Sequence, residues 1–213
     1  MTVRTVILSG AGRYADPWHP FAETSARLAA ILQGIGHDVT VREDVDAAMA
    51  SLADADLLVV NAGDPWRGGE RGVDAAAVAA FDAALDRGVG VLAMHCAVAS
   101  LRDYPRWAGA IGAVWLPTLS FHPPFGRVVV DTRDGVPFTV EDERYCALQA
   151  TGDRDVIAWH GGDAGHREPT AWRRAVGPSR VAVDVLGHDV RSYDAPGHAA
   201  LVADLATWAA ATR

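Results

Sequence analysis

Lysine is absent from this chain: all 19 of its basic residues are arginine. That excludes a Schiff-base lysine, a Walker-type phosphate lysine and a Ser–Lys dyad. Cysteine is scarce, with only Cys96 and Cys146. There is accordingly no disulfide framework and no CxxC metal or redox motif, and the expected setting is a reducing, cytoplasmic one. No apolar run approaches the ~18–20 residues that span a bilayer, so a membrane is not an expected partner. The opening residues Met1 to Gly10 lack the basic start and long apolar core of a signal peptide and read as a first strand. Basic clusters are missing too: the largest is Arg173-Arg174, in a chain of net charge −8. Counterion-release binding to nucleic acid needs a basic surface, so nucleic acid is not expected either.

What is present is apolar residue in quantity, 50% of the 213 positions. That is enough for one compact domain over residues 1–213 with a substantial core. Apolar runs alternate with helical patterns, the signature of a parallel sheet covered on both faces. Strands are expected at Val3–Ser9, His37–Arg42, Asp56–Asn61 and Val89–Met94, with helices at Ala22–Gly36 and Val45–Ala53 between them. Asp74 is placed to cap a helix that runs to Arg87 and ends at Gly88. Helical turns continue to Ala110, and from Gly112 to Thr170 the pattern is irregular and rich in Pro, Gly and Trp. Strands of a sheet edge are expected at Arg127–Thr132, Val156–His160 and Trp172–Val176, a buried strand at Arg180–Leu186 and a closing helix at Tyr193–Thr212. The fold class is α/β: a doubly wound, mostly parallel, flavodoxin-like sheet that binds ligand at the carboxyl ends of its strands.

The most telling stretch is Gly88-Val-Gly-Val-Leu-Ala-Met-His-Cys-Ala-Val-Ala-Ser100. Its apolar strand breaks at His95-Cys96 into small residues that can enter a helix at once. A strand–sharp turn–helix corner lifts one side chain above the sheet edge, beside a helix N-terminus. Hydrolases and amidotransferases place a nucleophile there. Here the apex residue is His95, which predicts a reactive cleft without an ordinary thiol or serine mechanism.

The other strand ends deliver polar groups to the same edge. The first supplies Ser9 and the Asp16-Pro-Trp18-His19-Pro20 turn; the third supplies Asn61 and Asp64, with Trp66 just beyond. Cys96 accompanies His95, His188-Asp189 follow the last core strand, and His122 stands in Phe121-His-Pro-Pro-Phe125. Neutral imidazoles ligate Zn²⁺ or Fe²⁺ and serve equally as general acids or bases. The plainer reading is that His19 and His122, each beside prolines, hold loops by hydrogen bonding. His37, His166 and His198 read as surface residues, and His160 is open. Trp18, Trp66, Trp115 and Phe125 lie in loops; packing is their default role, though such aromatic faces also suit the apolar faces of sugar rings. Gly10-Ala-Gly-Arg-Tyr-Ala15 matches GxGxxA, but Pro17 and Pro20 delay the helix such a fingerprint needs, so no nucleotide cofactor is expected. His166-Arg-Glu168 mimics the His-x-Glu of glutamine amidotransferases but sits in a Gly-rich loop with no closing helix after it.

Taken in order, several segments resemble the ThuA-like (trehalose-utilisation) family, a branch of the class I glutamine amidotransferase-like fold. They are Trp18-His19-Pro20 with Glu23-Thr24, Val91 to Ala97, Phe121 to Gly126, Val140 to Tyr145, Pro169 to Trp172 and Arg180 to Asp189. The resemblance implies that fold, a link to disaccharide or keto-sugar metabolism, and a small sugar ligand. It does not imply glutaminase activity. Against an amidotransferase's strand–Gly-x-Cys-x-Gly turn, His95 falls at the nucleophile, Cys96 one place later, and the flanking glycines are Ala93 and Ala97. The triad histidine position falls on His188, with Asp189 adjacent.

The expected function is therefore a sugar-modifying enzyme of isomerase, lyase or hydrolase type, working by acid/base or metal-assisted chemistry. The catalytic candidates are His95, His188, Asp189, Asp64 and Glu143. The substrate-binding candidates are Trp18, His19, Asn61, Trp66, Cys96, His122, Phe125 and Tyr145. A divalent metal such as Zn²⁺ would fall to His19, His95, His122 and His188. A noncatalytic sugar-binding or sensing protein and a Cys96-dependent hydrolase are the alternatives, and a homo-oligomer is compatible with either.

Overall fold

A computed structural model describes residues 2–162 and 165–211. Four strand–helix units open the chain: β1 (Arg4–Ser9) and α1 (Phe21–Gly34), β2 (Asp38–Arg42) and α2 (Val45–Met49), β3 (Leu57–Asn61) and α3 (Ala75–Arg87), then β4 (Gly90–Met94) and a 3-10 turn at His95–Val98. α4 (Trp107–Ile111) leads into β5 (Ala113–Val114), β6 (Gly126–Thr132), β7 (Phe138–Asp142), β8 (Gln149–Ala150), β9 (Asp155–Gly161) and β10 (Arg167–Val176). β11 (Ser179–Asp184), α5 (Val190–Tyr193) and α6 (Pro196–Ala210) close it. The main sheet has the order β2-β1-β3-β4-β11-β10-β9-β6-β7. Its first five strands are parallel and the rest continue antiparallel.

Strand periodicity explains the layering. Ile7, Leu57, Val59, Leu92 and Met94 face α1 and α6. The residues between them, Leu8, Leu58, Val60, Val91 and Ala93, face α2, α3 and α4. Both faces of β3 and β4 are fully buried, which is why those strands read as unbroken apolar runs rather than alternating ones. Each such Leu or Val side chain contributes about 1.5–3 kcal/mol by leaving water. The α3 boundaries follow their caps: Asp74 accepts the Ala76 amide at 2.9 Å, and Gly88 takes the left-handed conformation at φ 100°. At Gly90 a side chain would meet the Ala209 carbonyl, so the bare backbone is what lets α6 lie against β4.

Several expectations are corrected by the packing. β7 has no counterpart in the sequence reading, because its five residues FTVED carry only Val140 as an aliphatic side chain. The helical turns expected through Ala110 reduce to the 3-10 turn and short α4. The closing helix is split, since Pro196 starts a new helix after α5; the expected end at Thr212 lies outside the described residues. His198, read as a surface residue, is fully buried. Its Nε2 lies 3.0 Å from Asp184 Oδ2 and its Nδ1 3.0 Å from the Ser192 carbonyl. Both ring nitrogens thus face acceptors, which calls for the doubly protonated imidazolium. His160, left open by the sequence, is buried too, with Nδ1 2.8 Å from Thr170 Oγ1. Burial and, secondarily, Arg144 push its pKa down to about 4.

The His198–Asp184 pair generates a pH prediction. Burial alone lowers the His198 pKa, but the Asp184 carboxylate, with Asp142 and the Ser192 carbonyl, more than offsets it, and the value is raised. A raised folded value means that the stability it contributes is present in full below the unfolded histidine value of about 6.5 and is lost as pH rises through the folded value. Denaturant unfolding across the neutral to alkaline range should show this loss, and His198→Gln should flatten it. Asp184→Asn should destabilise by about 3–5 kcal/mol, the cost of leaving one member of a buried pair alone.

Candidate active site

The cleft is built outward from the end of β4. His95 has φ 44°, a left-handed conformation uncommon for a residue with a side chain, and this turns the chain sharply from the strand into the 3-10 turn. Its imidazole is 1% exposed. Nδ1 lies 2.9 Å from the Val185 carbonyl, which can only accept, so Nδ1 carries the proton. Nε2 is then a lone pair, and the Tyr145 hydroxyl donates to it at 2.9 Å.

His19 is held in a comparable way by its own turn. One Asp16 oxygen accepts the amides of Trp18 and His19 at 2.9 Å each, an Asx-type turn of the kind short acidic side chains form. The carboxylate also takes His19 Nδ1, at 2.7 Å. His19 Nε2 is therefore the acceptor nitrogen, and it is buried without any hydrogen-bond partner. Burial lowers the His19 pKa; His95 and His188 lower it further, and Asp16 only partly compensates.

The third arm comes from the far side of the sheet. β7 runs in the same direction as β11, so its end reaches the same edge and sets Glu143 beside the loop after β11. Glu143 Oε2 lies 3.2 Å from His188 Nδ1 and 3.6 Å from His95 Nε2. The His188 contact is close but lacks hydrogen-bond direction, and the nitrogen has no other partner. Burial would raise the Glu143 pKa, yet His188 beside it holds it well below the usual carboxylate range. Burial would lower the His188 pKa, and Glu143 instead raises it. Asp142, 1% exposed, anchors the whole arm. It accepts the amides of Gly187 at 2.7 Å, Glu143 at 2.8 Å and His188 at 3.2 Å, and the Ser192 hydroxyl as well.

One potential ligand atom from each of His19, His95, Glu143 and His188 lies within 4.8 Å of the others. The cluster could hold a metal ion. With bonds of about 2.0–2.1 Å in tetrahedral geometry, ligand atoms around a zinc ion sit roughly 3.3–3.4 Å apart, so the four side chains would draw inward to hold one. Three imidazoles and one carboxylate suit a borderline divalent ion. His19 Nε2, buried and unpartnered, is the kind of donor that such an ion satisfies.

His19, Glu143 and His188 line a cleft of about 470 Å³ with Trp18, Asp64, Arg67, Cys96, Trp115, His122 and Tyr145, and His95 lies buried beside it. The structure thus brings most of the sequence candidates together. His122 stands at the rim, more exposed than the other three, with Nδ1 3.5 Å from Glu143 Oε1. Glu143, not His122, completes the close four. Asp64 lines the cleft but is ion-paired to Arg102 at 3.0 Å. Cys96 is 5% exposed, and burial raises its thiol pKa well above the ordinary value. Phe125 packs at a tilt near His188, 5.4 Å between ring centroids.

Three candidates serve elsewhere. Asp189 caps α5 by accepting the Arg191 amide at 2.8 Å and pairs with the Arg191 guanidinium. Asn61 is buried and donates to Thr24 and Ser25, both at 2.9 Å, tying β3 to α1. Trp66 donates its indole N–H to Asp103 at 2.8 Å. Asp16 and Asp142 were missed as site residues. The i, i+3 spacing of Asp16 and His19 in a proline-bounded turn was a usable signal for the first; the second depended on recognising β7.

The model of the ThuA family, described as trehalose utilisation, matches residues 6–209. Among solved structures, a ThuA-like protein from Parabacteroides merdae ATCC 43184 is similar, with a TM-score of 0.80 and 17% identity over 99% of this chain and 90% of that one. A ThuA-like protein from Bacteroides uniformis ATCC 8492 gives a TM-score of 0.69 and 14% identity over 96% of this chain and 89% of that one. A cytoplasmic protein from Salmonella typhimurium LT2 gives 0.62 and 11% over 98% and 100%. At these identities the likeness is one of fold. No curated protein matches the chain. Among the described residues no helix is long and apolar enough to cross a membrane.

The burial of Cys96 predicts slow alkylation. Iodoacetamide at neutral pH should modify it at least about tenfold more slowly in the folded protein than in the unfolded chain, since the thiolate is the reactive form. Peptide mapping over time checks this, and rapid labelling of folded Cys96 would indicate an activated nucleophile.

Proposed function

The chain belongs to the ThuA family, and on that premise we propose that its cleft is a divalent-metal site acting on a small carbohydrate, of disaccharide or keto-sugar type. The observation that carries the reading is the convergence of His19, His95, Glu143 and His188 within 4.8 Å, with His19 Nε2 buried and unpartnered. Those four residues would hold the ion. When bound, a Zn²⁺-class ion supplies Lewis acidity toward a sugar hydroxyl or carbonyl oxygen.

The protein's own groups supply the remainder. Asp16 and the Val185 carbonyl fix the ring orientation of His19 and His95, so the acceptor nitrogens are turned inward before any ligand arrives. Trp18 is 62% exposed at the cleft mouth and offers an aromatic face to a sugar ring; Trp115 lines the wall. Asp64, held by Arg102, and His122 at the rim are placed to exchange protons or hydrogen bonds with sugar hydroxyls. Cys96 has no nucleophilic part in this reading, because its thiol is buried and its pKa raised. A reducing cytoplasmic setting fits a chain with so few cysteines.

Calorimetric titration of chelator-treated protein tests the metal. Zn²⁺ should bind saturably at one site with Kd below about 10 μM. At a hundredfold excess over Kd it should add about 2.7 kcal/mol of stability, reversed by chelator. His188→Ala should abolish or greatly weaken binding, and Glu143→Gln should weaken it. A protein that binds none of Zn²⁺, Mn²⁺ or Ni²⁺, or binds them equally well without His95 and His188, rules the reading out. For the chemistry, His95→Ala should reduce turnover of a sugar substrate by about 10²-fold or more while the fold persists. Sugar binding without turnover in the metal-loaded protein would favour a noncatalytic role.

A further inference from the structure

In this structure the Tyr145 hydroxyl is hydrogen-bonded to the nitrogen through which His95 would take a metal ion. Because His95 Nδ1–H is committed to the Val185 carbonyl at 2.9 Å, Nε2 has a single lone pair, and the Tyr145 O–H donates to it at 2.9 Å. One lone pair cannot serve a phenol proton and a metal ion together. The two rings are in tilted contact, at 34° with centroids 4.4 Å apart, and Trp115 backs the phenol at 4.7 Å. Tyr145 is therefore held in position by its ring and does not leave when its hydrogen bond is lost. It lines the same cleft as His19, Glu143 and His188 and is 5% exposed.

We infer that Tyr145 is an exchangeable cap on His95: its hydroxyl satisfies Nε2 in the metal-free protein and is released into the cleft, as a hydrogen-bond donor for a ligand oxygen, when a metal ion takes that nitrogen. The inference rests on the metal reading above and adds a role for a residue outside the ligand set. Physically, the bond does two things. It spares a buried imidazole nitrogen the cost of standing unpaired. It also lowers metal affinity, because the ion must displace it. The freed O–H, buried and without another acceptor, is then satisfied by an oxygen of the bound carbohydrate, which links substrate binding to metal occupancy.

Tyr145→Phe separates this from a supporting role. Removing the competing donor should tighten Zn²⁺ binding by about 3- to 10-fold, the size of one net hydrogen bond, measured by calorimetry on chelator-treated protein. A sugar that binds the zinc-loaded wild type should bind the zinc-loaded variant more weakly. Equal or weaker Zn²⁺ affinity in the variant overturns the inference while leaving the metal reading intact; no Zn²⁺ binding to either protein removes both. A measurement on the wild type guards against a misfolded variant. With ¹³Cζ-labelled tyrosine and ¹⁵N-labelled histidine, Zn²⁺ should move the Tyr145 Cζ and His95 Nε2 resonances together, with Nδ1 remaining protonated. A Tyr145 resonance untouched by saturating Zn²⁺ overturns the inference.

Discussion

The Asp142 carboxylate is the joint on which the cleft depends. It is buried where the antiparallel half of the sheet meets the loop after β11, and it accepts from three backbone amides and the Ser192 hydroxyl. Two of those amides belong to Gly187 and His188 and the third to Glu143, so one side chain sets the relation between two members of the cluster. Gly187 sits at φ 115°, with the Tyr193 ring packed where a Cβ would point, so the loop can turn toward Asp142 only without a side chain there. Ser192 also meets His198, and His198 meets Asp184 at the end of β11. A continuous polar chain thus runs beneath the cleft floor, each member partnered, which rigidifies a site that would otherwise hang on three loops.

His19 and His95 share a design in which Nδ1 is fixed and Nε2 is presented. Asp16 supplies the acceptor in one case and a backbone carbonyl in the other. The consequence is preorganisation: ring flips and tautomer exchange are suppressed before a ligand is present. His188 differs, because its Nδ1 lies against Glu143 without hydrogen-bond direction. It is the least constrained of the three imidazoles and the one placed to reorient when the cleft fills.

The parallel half was legible in the sequence because its signals are local. Leu57–Asn61 and Gly90–Met94 are apolar runs flanked by turn residues, Asp74 and Gly88 bracket α3, and the break at His95 stands out against the apolar residues before it. The meeting of His19, His95 and His188 followed from their places after parallel strands. What was not legible depends on long-range packing. β7 is short and, Val140 aside, carries little that marks a core strand, so Asp142 had no visible address and Glu143 read as a carboxylate without a location. His198 sits in a helix rich in alanine, where nothing local announces the Asp184 carboxylate beneath it. Asn61, Trp66 and Asp189 were placed at the correct edge, but their side chains turn into neighbouring elements, and sequence spacing does not encode that choice.

The four clustered side chains come from the first loop, the end of β4, the end of the edge strand β7 and the last loop before the closing helices. No single hairpin or strand–helix unit contains two of the imidazoles. Anything that grips all four at once closes loops spanning most of the polypeptide, and so acts on the entropy of the whole unfolded chain rather than on local fraying. In hydrogen-exchange terms, occupancy of this cleft belongs with the slowest, globally opening amides, and a partly unfolded form that has lost the parallel half of the sheet keeps none of the three imidazoles in place.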